Sequence, residues 1–402
     1  MTRDSGRPAA ITGIGCVTNF GCGFPCAWNG QLGSMAVTRA RSVDNASGHT
    51  TLTTQAPPAG ELEAWFSKLG YPRPSRATLM ALLAAQEAWL MSGLSSLPAS
   101  SRIGVMINRC FGEIDIQTRY YRTLRERGPV AASGLDFVQS LANTVLGRVA
   151  MELKARGPSV LVVGPSVFGL ALDALRNNEA DVIVAGGVDH LADYVCDLCD
   201  AAGLTPASRG RREVPSPYVD HANGLVPGDG AAFLVLERAD YARARGANPI
   251  ALLKGGATVM DSFQGGRGLH RTPADVVASV ERALEDAGVG AGDIDFVSGA
   301  ATGLDHYDDA ELDAICSTFP GDVAVYSTKA VHGETWGAAG ALSLASAAKV
   351  IETGLLPAFG RGRNPGAAHT AEEQYTGKPL RAGVSLSFDI PGSHSTFVVS
   401  SC

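Results

Sequence analysis

The sequence predicts an α/β protein built from two similar halves, and three observations carry that prediction. Apolar runs such as Val160-Leu161-Val162-Val163 and Val182-Ile183-Val184-Ala185-Gly186-Gly187 read as strands and alternate with small-residue helices. The same strand–turn–helix style recurs after a break near residue 246, dividing the chain into halves 1–246 and 247–402. With 402 residues, 45% of them hydrophobic, and 48 glycines, the chain can bury a large core under closely packed helices.

Composition narrows the function classes. A net charge of −7 argues against nucleic acid or an anionic membrane as the main partner. No run approaches the ~18 uninterrupted apolar residues of a spanning helix. Residues 1–5 lack the apolar segment of a signal peptide, so a cytoplasmic location is expected. Of eight cysteines only Cys196 and Cys199 are close, and no second pair completes a zinc set. They read as two buried thiols on a helix. No metal and no cofactor is expected.

Taken in order, residues 10–15 read as a strand entering a glycine turn. Gly13-x-Gly15-x-x-Thr18 falls short of the dinucleotide fingerprint, because no acidic residue closes a second strand. Residues 35–60 are polar and read as a surface loop. The run 76–94 is apolar nearly all round, the pattern of a buried helix, and 103–107 is the next central strand. Residues 113–126 set Tyr120 and Tyr121 among charges, which suits a subunit interface or an ordinary amphipathic surface helix. A further helix is expected at 138–153.

The purely apolar strand at 160–163 predicts cover on both faces. Ser166 then falls at the start of a helix over 167–177, where free N–H groups favour an anion. The basic run Arg209-Gly210-Arg211-Arg212 reads as solvated or as a contact for an acidic partner. Residues 231–236 are a strand and 240–246 a short helix. In the second half, Thr272-Pro273 caps a helix ending at Ala287-Gly288. Strands at 295–297, 323–326 and 396–399 and helices at 308–319 and 337–352 follow.

Several motifs occur in a telling order: Gly157-Pro158-Ser159-Val160, Ala185-Gly186-Gly187, Val226-Pro227-Gly228-Asp229-Gly230, and Lys329 followed by Gly337-Ala338-Ala339-Gly340. Together, from about residue 10 to 400, they resemble β-ketoacyl synthases. The resemblance implies the thiolase fold, two similar halves in αβαβα layers, and a dimer. It also implies decarboxylative condensation by one cysteine and two histidines. Counting from the motifs, the cysteine position falls on Ser166, the first histidine on Ala300 and the second on Glu334. A serine hydroxyl needs an adjacent base, Ala300 cannot donate from its side chain, and an ionised Glu334 would repel an oxyanion.

This pattern of losses is similar to the chain length factors, or ketosynthase β subunits, of type II polyketide synthases. That resemblance implies a subunit without activity alone. It would pair with an active ketosynthase, meet the acyl carrier protein bearing the growing chain, and shape the tunnel that sets chain length. Glutamine usually stands at the cysteine position there, so Ser166 is a departure. The tunnel-lining positions fall on Glu113, Ile116 and Tyr120, one helical face by their spacing, with Glu113 expected at water or the partner. Asp229 and Lys329 stand where active enzymes carry a glutamate and a lysine, and are read as a retained structural pair. Phe388-Asp389-Ile390-Pro391-Gly392 replaces a mobile glycine-rich gate, and proline would stiffen it.

Two other readings stay open. Ser166 could serve an acyltransferase or thioesterase on the same fold, although Gly164-x-Ser166-x-Phe168 misses the nucleophile-elbow pattern. A homodimer with a binding role is the other. The sequence names no product and no particular partner.

Overall fold

The computed structural model describes residues 6–33, 39–42, 50–65, 74–96, 102–164, 166–206, 217–218, 224–261, 271–321, 323–357, 379–389 and 392–402. The run 209–212 and residues 390–391 of the final loop lie outside the described residues. The first half carries β1 (Ala9–Thr18), β2 (Gly21–Cys22), β3 (Arg39–Ser42), β4 (Thr50–Thr53), β5 (Ile103–Arg109), β6 (Ser159–Val163), β7 (Val182–Asp189) and β8 (Gly230–Arg238). The second carries β9 (Ala251–Met260), β10 (Phe296–Ser298), β11 (Ala324–Tyr326), β12 (Ala382–Asp389) and β13 (Ser393–Ser400). The helices of the first half are α1 (Phe24–Leu32), α2 (Ala59–Trp65), α3 (Arg76–Met91), α4 (Ile114–Arg127), α5 (Gly134–Ser140), α6 (Thr144–Glu152), α7 (Phe168–Arg176), α8 (Asp193–Ala201) and α9 (Ala239–Ala244). Those of the second are α10 (Pro273–Ala287), α11 (Asp305–Thr318), α12 (Lys329–His332) and α13 (Ala339–Thr353).

The duplication shows in the strand order. The first half runs β6-β5-β7-β8-β1 and the second β11-β10-β12-β13-β9. In each, the first two links are parallel and the next two antiparallel. The sheets join where Ala9, Ala10 and Ile11 pair antiparallel with Leu253, Leu252 and Ala251.

Side-chain alternation builds the layers. Along β8, Ala231, Phe233 and Val235 enter a core with α3 and α6, while Ala232, Leu234 and Leu236 enter one with α7 and α13. The α7–α13 layer also packs on Phe296, Phe397 and Val399 of the second sheet, whose other face meets α10 and α11. This is the thiolase fold in αβαβα layers.

Most predicted elements form. Thr272 caps α10, its hydroxyl accepting from the Asp275 N–H, and Gly288 closes it in the left-handed conformation. Cys196 and Cys199 are buried on α8. Five expectations change. Strand β1 does not turn at Gly13 and Gly15 but continues to Thr18, because glycine lets α3 approach its backbone. A Cβ at either would sit 2.0 or 2.1 Å from the Ala88 or Ala84 carbonyl oxygen. The stretch expected as a loop over 35–60 contains the paired strands β3 and β4 and ends in the first two residues of α2, with Thr53 and Thr54 buried. The helix expected at 138–153 is two helices, broken at Leu141, whose backbone is extended. The strand of 160–163 meets a core on each face, Val160 and Val162 on one and Leu161 on the other, but its burial is partial: it is the edge strand β6, paired among the described residues to β5 alone, and Val163 is 59% exposed. Residues 113–126 begin their helix one residue later, leaving Glu113 outside it.

One close approach positions the site. A Cβ on Gly187, near the end of β7, would lie 1.8 Å from the Gly337 carbonyl oxygen. Gly187→Ala is therefore expected to cost about 1–3 kcal/mol or more by overpacking. Gly169→Ala, on α7 with nothing within 4 Å of its Cβ, should be neutral or slightly stabilising. Denaturant midpoints of the two variants check this.

Candidate functional site

The three positions that would carry condensation are each occupied by something else. Ser166 sits between β6 and α7, buried, and its hydroxyl accepts from the Phe168 N–H at 3.4 Å. Among the described residues no histidine, lysine or carboxylate bonds to it, so nothing raises its nucleophilicity. Ala300 follows β10 and contributes only backbone. Its N–H donates to Glu311 Oε1 at 2.9 Å and its carbonyl accepts from Lys329 Nζ at 3.0 Å.

Glu334 is not a free charge. Lys329, the first residue of α12, places Nζ 2.6 Å from Glu334 Oε2, with both side chains buried. Glu334 Oε1 accepts the Trp336 N–H at 2.8 Å. Lys329 thus ties Glu334 to the Ala300 backbone. It is not paired with Asp229. That carboxylate bonds Arg76 Nε and Nη2 at 3.2 and 3.1 Å and the Ala56 N–H at 2.6 Å, with His190 Nδ1 at 3.5 Å. Burial pushes the Asp229 carboxyl up, but His190, Arg76 and the Ala56 amide outweigh it and hold it below its ordinary range. The expected Asp229–Lys329 pair is therefore two separate networks.

The loop at Ala300 is fixed from below. Glu311 also accepts from Arg271 Nη2 at 3.0 Å and from the Tyr218 hydroxyl at 2.6 Å. Asp308 accepts the N–H groups of Tyr218, Thr302 and Gly303 at 2.8–3.0 Å, while burial raises its pKa to about 7. His332, two residues before Glu334, faces away. Its Nδ1 donates to Asn19 Oδ1 at 2.8 Å and its Nε2 accepts from Gln31 Nε2 at 3.0 Å. Burial lowers its pKa to about 3, so it is a neutral core residue.

Beside these positions lies a cavity of about 330 Å³. Its walls come from six stretches of chain: Cys110 and Phe111 after β5, α8 and the following loop, Leu225, Thr302 to Tyr307, Glu334 to Trp336, and Phe388 on β12. Phe111 and Trp336 meet edge to face, 4.7 Å between centroids. Trp336 takes a φ of 54°, a left-handed backbone that leaves its ring on the pocket wall.

None of the expected tunnel residues lines this cavity. Glu113 precedes α4, off the helical face, and is buried rather than at water. It accepts from Ser75 Oγ at 2.6 Å and pairs with Arg109 at 3.4 Å, while burial raises its pKa. Ile116 is buried, and Tyr120 lies against Tyr121 and Phe137, at 5.5 and 5.6 Å between centroids. Phe111, Leu304 and Trp336, which do line the cavity, carry no local sequence signal. Among the described residues no cluster of three or more ligating side chains could hold a metal, and no helix is long and apolar enough to cross a membrane.

The layered duplication and these site positions define a ketosynthase-type subunit. Residues 7–242 match the β-ketoacyl synthase N-terminal domain and 250–361 the β-ketoacyl synthase C-terminal domain, and the chain belongs to the β-ketoacyl synthase family. It is 29% identical over 382 residues to the tetracenomycin polyketide synthase ketoacyl synthase alpha subunit of Streptomyces glaucescens, covering 89% of this chain and 88% of that one. Nodulation protein E of Rhizobium sp. (strain N33) is 28% identical over 374 residues, 89% of this chain and 90% of that one. The ishigamide ketosynthase/chain length factor shares its fold with a TM-score of 0.86 at 23% identity, covering 98% of this chain and 99% of that one. So does AntDE:AntF, a type II polyketide synthase acyl-carrier protein in complex with its ketosynthase, at a TM-score of 0.81 and 19% identity over 99% of this chain and 100% of that one.

Two measurements probe the site. Lys329→Met, which strands a buried carboxylate, is expected to cost about 3–5 kcal/mol, and the double variant with Glu334→Leu to recover most of it. Chemical denaturation reads both. His332 gives a pH signature. As pH falls from about 6.5 to about 3 the unfolded chain takes a proton that the folded site refuses, so stability falls by up to about 1.4 kcal/mol per pH unit. His332→Gln should flatten that slope and leave the pH dependence above pH 7 unchanged.

Proposed function

We propose that this chain is a chain length factor: a non-condensing subunit that pairs with an active ketosynthase in the cytoplasm. It shapes the tunnel in which a polyketide grows on acyl carrier protein. The carrying observation is the joint fate of Ser166, Ala300 and Glu334. One lacks a base, one lacks a side-chain donor, and one is bound to Lys329. The layered fold around them is that of a ketosynthase, so the reading is of a ketosynthase-shaped body without its chemistry.

The edge strand supports pairing. Among the described residues strand β6 has one neighbour, β5, so its other edge is a template for another strand, and Val163 at its end is exposed. Phe137 and Val138 on α5, Leu141 after it, and Tyr121 on α4 are also exposed. Exposed apolar groups of this kind fit a large obligate interface. Through α4, Tyr120 would reach the shared tunnel and limit the chain. A Ser166-dependent acyl transfer, the competing reading, finds no base bonded to Ser166 among the described residues.

Co-expression with a type II ketosynthase should give a 1:1 heterodimer by native mass spectrometry, and condensation only when the partner's cysteine is intact. Val163→Arg is expected to weaken pairing at least about tenfold while the chain still folds. Tyr120→Ala is expected to lengthen the product. A chain that condenses alone, or that never captures a ketosynthase, contradicts the reading, as does a covalent acyl mass on Ser166.

A further inference from the structure

Helix α4, which carries Tyr120, is anchored at its start rather than along its length. Of its 14 residues only Ile116 is buried, so side-chain packing within this chain does little to fix its tilt. The turn before it is held firmly. Asp189, the last residue of β7, is wholly buried, and its carboxylate accepts three successive backbone N–H groups: Cys110 at 2.7 Å, Phe111 at 3.1 Å and Gly112 at 3.2 Å. Gly112 takes a φ of 68°, the left-handed backbone that lets the chain wrap an anion. Asp189 Oδ2 also accepts the Gly337 N–H at 2.9 Å, so this turn and the one at Trp336 share an anchor. Arg109, the last residue of β5 and equally buried, lies 3.9 Å from Asp189 and 3.4 Å from Glu113. Glu113 in turn accepts from Ser75, the N-cap of α3, at 2.6 Å. A buried carboxylate is tolerated only with such partners, and here they all belong to the turn that launches α4 or to its neighbours.

We propose that Asp189 is a positioning residue for chain length: it fixes the start of α4 and thereby where Tyr120 stands in the shared tunnel. The assignment rests on the subunit reading above and adds to it a residue that acts through backbone rather than by touching the chain. Tyr120 lies six residues beyond Ile114, about 9 Å along the axis, so a tilt of ~15° at the start moves it by about 2 Å. Asparagine at 189 keeps the shape but replaces one acceptor oxygen with a donor. That donor faces N–H groups that need an acceptor, and Arg109 keeps only Glu113 as a charged partner. The turn must move to relieve the mismatch, and α4 moves with it.

The test uses the full-length chain co-expressed with a type II ketosynthase, with pairing checked by native mass spectrometry and product lengths read by liquid chromatography–mass spectrometry. Asp189→Asn is expected to raise the ratio of off-length to principal product at least about tenfold. Asp286→Asn, on α10 in the second half, breaks the pair with Arg176 and serves as the control for lost stability alone. It should lower the thermal midpoint and leave product lengths unchanged. Gly112→Ala is strained by the left-handed backbone, yet has nothing within 4 Å of its Cβ, so it shifts the same turn without a clash. It decides the matter if Asp189→Asn does not fold or pair. Unchanged product lengths in the folded, paired variants, or an equal spread in Asp286→Asn, overturn the assignment. Tyr120→Ala in the same heterodimer separates this assignment from the subunit reading. If it alters product length while Asp189→Asn does not, only the role of Asp189 falls. If it alters nothing, control of chain length by α4 falls, and the role of Asp189 with it.

Discussion

A lysine ammonium buried between a carboxylate and a backbone carbonyl governs this site. Lys329 Nζ lies 2.6 Å from Glu334 and 3.0 Å from the Ala300 carbonyl. Removing two such ions from water costs several kcal/mol each, and the cost is offset only when geometry and further hydrogen bonds are good. Here the Trp336 amide supplies one of those bonds and fixes the turn that sets its ring on the cavity wall. The same interaction occupies the polar groups at the expected catalytic positions. Glu334 is engaged, Ala300 offers only backbone, and the ammonium has no free face for an oxyanion among its described contacts. The cavity beside it is lined largely by apolar side chains.

That local closure sits in a scaffold of two repeated half-sheets with an apolar edge. The repeated strand order places Ser166 after β6 and Ala300 after β10, and the close contact of Gly187 with Gly337 brings the Glu334 turn beside them. Strand β6 stays an apolar edge with one neighbour. Loss of a catalytic centre leaves such an edge unaltered, because its energetics depend on strand pairing and side-chain cover rather than on the site.

Much of this was legible in the chain itself. Period-2 burial, the Thr272–Gly288 caps and the motif order sufficed for the fold, since each depends on residues close in sequence. What escaped were relations between distant segments. The valine run of β6 has the composition of a buried strand, and only the missing second neighbour makes it an edge. Glu113 looked like an exposed helical residue because its partners, Ser75 and Arg109, are hidden until the fold is built. Asp229 and Lys329 were matched by family position, yet each found a nearer partner: Arg76 for one, Glu334 for the other. The cavity needs six stretches of chain at once, so no single stretch announces it.

The central claim is that the ion pair and the two empty positions leave no condensing or decarboxylating chemistry in this chain. Release of carbon dioxide from malonyl carrier protein by the isolated chain tests it most directly, for the wild type and for Ser166→Cys. The account predicts the buffer rate for both, because a restored thiol still lacks its histidine partners. Release well above buffer by either protein would contradict it.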